Sequence, residues 1–212
     1  MLPKPLVSIN GIPLIERLIR SYSRCGISEI VCIVNEYSLQ VKTYIESKRF
    51  SIPIRFVIKT TPSSMHSLFE LAPHLMDGQF LLSTVDSIFN EDELSGFLKY
   101  AQEHQSVDGI LAATNFVDDE NPLFIELDDA NRITSFGKSA KTNWVTGGLY
   151  VFSQSIFREI DAAERQGIQR LRNFLGHLLE QKYRLEGFPF SKIVDVDHLH
   201  DIVTAEEMLK GH

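Results

Sequence analysis

The chain is nearly devoid of cysteine: Cys25 and Cys32 are its only two. The first ends a predicted helix and the second lies inside a predicted strand, which suits neither a bridge nor metal-ligand spacing. Two reduced, partly buried thiols are expected. No apolar run approaches the roughly 18 residues that span a bilayer, and no basic segment leads into an apolar signal core. The expectations are therefore no membrane partner and a cytoplasmic location. Internal repeats, linkers and low-complexity tracts are also missing. Positive charge is scarce: 21 Lys and Arg stand against 28 Asp and Glu, for a net charge of −7. The basic residues form no cluster able to neutralise a row of phosphates, so nucleic acid is excluded as an expected partner. What remains is 212 residues, 43% hydrophobic and 23% charged, enough for one domain with a full core.

The apolar pattern alternates between two periods. Leu14, Ile15, Leu18, Ile19 and Tyr22 recur at helical spacing, with Pro13 in the first turn and Gly26 as a stop, which predicts a helix over about 13–25. Ile30 to Val34 is an unbroken apolar run, as in a strand covered on both faces. Further helices are predicted at about 38–48, around Met65 to Leu75, and at 91–104, with strands at 53–59, at 79–85 leading into Asp86, and at 108–114. This alternation argues for a doubly wound, mostly parallel α/β sheet, in which ligands bind beyond the carboxyl ends of the strands. Asp86 falls at such an end. A hairpin is predicted next, with Asp128, Asp129, Ala130 and Asn131 as its turn, then a strand at 147–153 and helices at about 154–165 and 168–181. The chain closes with strands at RLEGFPF and KIVDV and a helix over about 200–210.

Several segments carry a family resemblance. The opening Lys4-Pro5-Leu6, the strand FLLSTVDSIF, the segment ITSFGKSA, the strand WVTGGLYVF and the closing SKIVDVDHLHDIVTAEEM are similar to the corresponding segments of the sugar-phosphate nucleotidyltransferases, or NDP-sugar pyrophosphorylases. The resemblance covers nearly the whole chain and implies one nucleotidyltransferase-like domain over 1–212. It implies a reaction in which a nucleoside triphosphate and a sugar 1-phosphate are joined with release of pyrophosphate, dependent on Mg2+. It places one metal ligand on Asp86 and the second on Asp195, with Asp197 as the close alternative. The other reading of Asp86 is a loop aspartate capping the helix at Glu91.

The same resemblance puts Lys4 near the triphosphate or sugar phosphate as a mobile positive charge, unless it is solvated and idle. Gly147 and Gly148 lie beneath the sugar, where missing side chains admit close approach, or else form a bulge. Lys138 matches a phosphate-facing lysine, but Gly137 stands where the family has a sugar-binding glutamate. TPSSMHSLFEL is similar to the base-reading loop, with Ser63 and Ser64 in place of a Gly-Thr pair; a plain helix cap is the competing reading. In the family a first strand and a glycine-rich loop with an arginine precede the Lys-Pro-Leu run, whereas only Met1, Leu2 and Pro3 stand before Lys4 here. That implies a sheet lacking its first strand, an N-terminal truncation of a longer frame, and a chain inactive as written. A non-catalytic relative that senses a sugar phosphate or nucleotide through a partner subunit is the alternative. Assembly into a homo-oligomer is left open by the sequence. A competing reading treats Asp195, Asp197, His198, His200 and Asp201 as a transition-metal site.

Overall fold

A computed structural model describes residues 2–75, 77–117, 121–137 and 143–210. After a 3-10 turn at Lys4–Leu6, strands β1 (Ser8–Ile9) and β2 (Ile12–Pro13) form a hairpin. Its turn residues Asn10 and Gly11 have φ of 49° and 76°, the paired left-handed geometry whose twist matches that of the flanking strands. The sequence pattern alone suggests only one extended piece here. Pro13 then caps helix α1 (Leu14–Arg24). Strand β3 (Ile30–Val34), helix α2 (Leu39–Glu46) and strand β4 (Ile54–Ile58) make a parallel crossover unit with Ile30 opposite Ile54 and Val34 opposite Ile58. Helix α3 (Ser64–Leu71), strands β5 (Gln79–Ser83) and β6 (Ser87–Ile88), helix α4 (Glu91–Glu103) and strand β7 (Gly109–Thr114) follow.

Strands β8 (Ile125–Leu127) and β9 (Ile133–Phe136) form the expected hairpin. Asp128 closes it by accepting hydrogen bonds from the amides of Ala130 at 2.9 Å and Arg132 at 2.8 Å. Strand β10 (Val145–Ser153) leads through a 3-10 stretch into α5 (Ile160–Arg165), then α6 (Leu171–Glu180), β11 (Leu185–Phe190), β12 (Val194–Asp195) and α7 (Leu199–Lys210).

The largest sheet has the order β11-β7-β10-β5. β11 and β7 are parallel and β10 opposes both of its neighbours, so three of the four strands run the same way. Alternation along the strands divides the core in two. Ile110 and Ala112 of β7, with Leu149 and Val151 of β10, pack against Leu18 and Tyr22 of α1 and Leu94, Phe97 and Ala101 of α4. The intervening Leu111, Ala113, Tyr150 and Phe152 pack on the other face against Met65, Leu68 and Phe69 of α3 and Phe174, Leu175 and Leu178 of α6. Because helices cover both faces, β7 is buried at every residue and reads as a continuous apolar run rather than an alternating one.

The β3–β4 pair is a separate ladder. Only Val34 of β3 is buried, in contrast to the two-faced burial expected from its apolar run. Among the described residues β3 has a strand on one side only, so its other edge is left partly open. No helix among the described residues is long and apolar enough to cross a membrane.

Candidate active site

The parallel strands bring their carboxyl ends to one edge. Beyond β5 the chain crosses at Thr84, whose amide donates to the carbonyl of Gly148 at 3.2 Å, and reaches Asp86. β6 then pairs antiparallel with β12, setting Ser87 opposite Asp195 and Ile88 opposite Val194, and the Val196 amide donates to the Asp86 carbonyl at 3.0 Å. This short ladder gathers Asp86, Asp195 and Asp197 into one neighbourhood.

Their roles there differ. The Lys4 ammonium donates to Asp86 Oδ2 at 2.6 Å and also to Asp197 Oδ1, bridging the two carboxylates. Burial alone would push the Lys4 pKa down, but the hydrogen bonds and charges of Asp197 and Asp86 together raise it above its ordinary value. Asp195 instead accepts from Ser87 Oγ at 2.8 Å, and Ser87 Oγ lies 3.0 Å from Thr84 Oγ1. Asp86 caps no helix. The residue that caps α4 is Asn90, whose side chain accepts from the Asp92 amide.

Asp201, to which the family resemblance gives no part in a transferase site, holds Asp197 in place. It sits buried in the first turn of α7, and its Oδ2 accepts from the amides of Asp197 at 2.8 Å and His198 at 2.6 Å. A carboxylate at a helix start also faces the positive end of the helix dipole. An acidic residue four positions beyond Asp197, at the head of a predicted helix, was the available signal. Its other oxygen meets His200 Nε2 at 2.9 Å, and the rings of His198 and His200 stack at 5.6 Å. Tyr150 of β10 is buried in the core on the α3 and α6 side of the sheet. Its burial pushes the phenol pKa up to about 12, with the Thr146 hydrogen bond opposing and the charges of Asp195 and Asp86 assisting.

The two glycines are packed against the protein itself. A Cβ on Gly147 would stand 2.2 Å from Ile193 Cδ1, and one on Gly148 would stand 2.4 Å from Ser87 Oγ and 2.7 Å from Thr84 Oγ1. Gly148 has φ of +73°, within the register shift between Thr146 and Tyr150 where β10 bulges against β7. The Gly147 side of the bulge also lines a small cleft with Thr114, Phe116 and Asp195. A larger cleft of about 470 Å³ opens beyond β7, lined among the described residues by Asn115, Leu127, Asn143 and Trp144. Among the described residues, two amides and an indole give it hydrogen-bonding groups.

Ser63 follows the carboxyl end of β4 and is the N-cap of α3. Its Oγ accepts from the His66 amide at 3.5 Å and lies 2.9 Å from His66 Nδ1, and Ser64 is the first helical residue. Lys138 lies outside the described residues.

Two carboxylates sharing one ammonium form a place fitted to a cation. Among the described residues no group of three or more His, Cys, Asp or Glu side chains is arranged to hold a metal, so the His and Asp run near the C-terminus forms no transition-metal cage there. A pair of hard oxygen donors suits Mg2+, which keeps water and phosphate oxygens in the rest of its shell.

The fold is an α/β sheet with an acidic edge site beyond its strand ends. The Nucleotidyl transferase family model matches residues 1–210, and the chain belongs to that family. It is 24% identical over 211 residues to the bifunctional protein GlmU of Methanococcus maripaludis, covering 96% of this chain and 48% of that protein. It is 20% identical over 166 residues to the D-glycero-alpha-D-manno-heptose 1-phosphate guanylyltransferase of Campylobacter jejuni, covering 77% of this chain and 72% of that one. The chain spans less than half the length of the GlmU proteins it matches. Among solved structures, the inositol-1-phosphate CTP transferase from T. maritima superposes with a TM-score of 0.83 at 20% identity, over 98% of this chain and 86% of that one.

Proposed function

We infer that residues 1–212 act as one nucleotidyl-transfer domain that joins a nucleoside triphosphate to a sugar 1-phosphate and releases pyrophosphate, with Mg2+ as cofactor. The observation that carries this reading is the convergence of Asp86 and Asp197 on a single ammonium at the carboxyl edge of the sheet, in a chain of this family. Asp86 and Asp197 would hold the ion, and Asp195, tied to Ser87, would brace the short ladder beside it. When bound, a divalent cation screens the phosphate oxygens and stabilises the charge that builds up as pyrophosphate leaves.

The chain's own residues supply positioning. Lys4 carries a flexible positive charge able to reach a phosphate from the carboxylates it now bridges. The cleft of Asn115, Asn143 and Trp144 offers donors, acceptors and an aromatic wall of the kind that holds a hydroxyl-rich ring, and Gly147, with Gly148 next to it in β10, lines the smaller cleft that includes Asp195. Lys138 is assigned to the sugar phosphate by its place in the family segment. The base is assigned to the α3 end, where Ser63, Ser64 and the first-turn amides are grouped. Attack by a sugar phosphate oxygen on the α-phosphorus needs no protein nucleophile, so alignment and charge carry the chemistry.

A panel of triphosphates against sugar 1-phosphates, assayed for pyrophosphate release with Mg2+, tests the reading. Turnover of at least one pair, reduced ~100-fold or more by Asp86→Asn, is expected. An Asp86→Asn variant that turns over as the wild type does would refute the metal assignment, and no turnover of any pair would refute the reaction.

A further inference from the structure

The Lys4 side chain stands where the proposed cation belongs. Its backbone is fixed: Pro3 and Pro5 flank it, the Leu6 amide donates to the Pro3 carbonyl at 2.9 Å, and the Val7 amide donates to the Lys4 carbonyl at 3.0 Å. The side chain is only partly buried and has four rotatable bonds, so it can swing away while the turn stays in place. The two carboxylates are less free. Asp86 is held through its carbonyl by the Val196 amide, and Asp197 through its amide by Asp201. Left without a cation, two fixed carboxylates this close would repel each other.

We propose that Lys4 is an internal counter-ion that holds the Asp86 and Asp197 carboxylates together and is exchanged for a divalent cation, one ammonium leaving for each ion bound. The inference rests on the transferase reading for the identity of the ion. Exchange also couples two events: the ion's arrival releases the ammonium to the phosphates, and without the ion Lys4 stays on the carboxylates. Metal affinity is then set partly by a residue that is not a metal ligand.

Mn2+ binding, followed by the loss of the free-ion paramagnetic resonance signal, tests this without any turnover. Lys4→Met removes the competitor and should bind Mn2+ roughly two- to thirtyfold more tightly, the effect of two partly exposed ion pairs that no longer have to be broken. Lys4→Arg keeps the competing charge and should bind no more tightly than the wild type. In the wild-type protein, saturating Mg2+ should raise acylation of the Lys4 amine by an amine-reactive reagent, read by mass spectrometry; this needs no variant to fold. Equal or weaker Mn2+ binding by Lys4→Met, equal tightening by Lys4→Arg, or Lys4 labelling indifferent to Mg2+ would each overturn the exchange. If Lys4→Met fails to tighten binding while a substrate pair is turned over, the exchange falls and the transferase reading stands. If binding tightens and no pair is ever turned over, the exchange stands and the transferase reading falls.

Discussion

Gly148 gives the sharpest test of how the site is built. At φ of +73° it occupies the left-handed region, where a side chain costs about 1–2 kcal/mol. An alanine there would also place its Cβ 2.4 Å from Ser87 Oγ and 2.7 Å from Thr84 Oγ1, inside contact distance of two hydroxyls on short, backbone-held side chains. Overpacking of that kind costs typically about 1–3 kcal/mol. Gly148→Ala should therefore lose about 2–5 kcal/mol in urea unfolding, with a melting temperature lower by roughly 4–20 °C for a chain of this size. Ser87→Gly relieves the closer clash but not the backbone strain, so adding it to Gly148→Ala should recover a measurable part of the loss as a positive coupling. The comparison position is Gly147, where the added Cβ would meet one side chain, Ile193, at 2.2 Å from Cδ1 and 3.1 Å from Cβ and Cγ1, and no left-handed φ adds strain. Gly147→Ala should cost less than Gly148→Ala. A Gly148→Ala loss under ~1 kcal/mol, or no coupling with Ser87→Gly, would show that the bulge does not need the glycine.

Phe174 is fully buried and meets Phe69 edge-on at 5.1 Å, so Phe174→Ala should cost about 3–5 kcal/mol in denaturant unfolding. Asp201→Ala leaves two amides unpaired in the first turn of α7 and should cost ~1–3 kcal/mol while weakening Mn2+ binding, because Asp197 loses its anchor. Glu16 titrates below its ordinary value of 4.5, chiefly through the hydrogen bond from Tyr44, with burial opposing and Arg20 assisting. A depressed folded-state pKa contributes stability that is complete above the unfolded value and is lost as the pH falls through the folded one. Tyr44→Phe should thus lower stability at neutral pH by about 1 kcal/mol and flatten the loss between about pH 5 and acid, read from unfolding midpoints against pH.

The order and type of the elements were legible because each buried face imposes its own period. Leu14, Ile15, Leu18, Ile19 and Tyr22 mark α1 within one residue at each end. The apolar run of β7 was readable as a strand, whereas its burial on both faces was not, since the similar run of β3 is buried only at Val34. What periodicity could not reveal depends on backbone geometry between elements. The Asn10-Gly11 turn was present in the sequence, but its strands are two residues each, too short for alternation to register. Ser63 as the α3 cap and the β10 bulge at Gly148 were each open alternatives, since a serine before a helix and a glycine pair in a strand carry the same letters in either role. The position of Asp86 at a strand end was readable from the pattern, whereas Asp195 and its nearness to Asp86 were implied only by the family resemblance.

The division of work between Asp195 and Asp197 was not readable, and the reason is mechanical. Two residues apart on a continuing strand they would point the same way and would have equal claims on a cation. The strand stops at Asp195, however, and Asp201 draws the amides of Asp197 and His198 into the first turn of α7. Asp195 therefore stays in the ladder opposite Ser87, while Asp197 leaves it and meets Lys4. On the proposed reading, the carboxylate that decides which aspartate faces the ammonium is Asp201. It follows that Asp201→Asn, which keeps one acceptor oxygen able to take the place of Oδ2 for both amides, should retain more of the Mn2+ affinity than Asp201→Ala, whereas both should leave the Ser87–Asp195 pairing in place. Equal loss in the two variants would mean that Asp197 is held by the ladder alone.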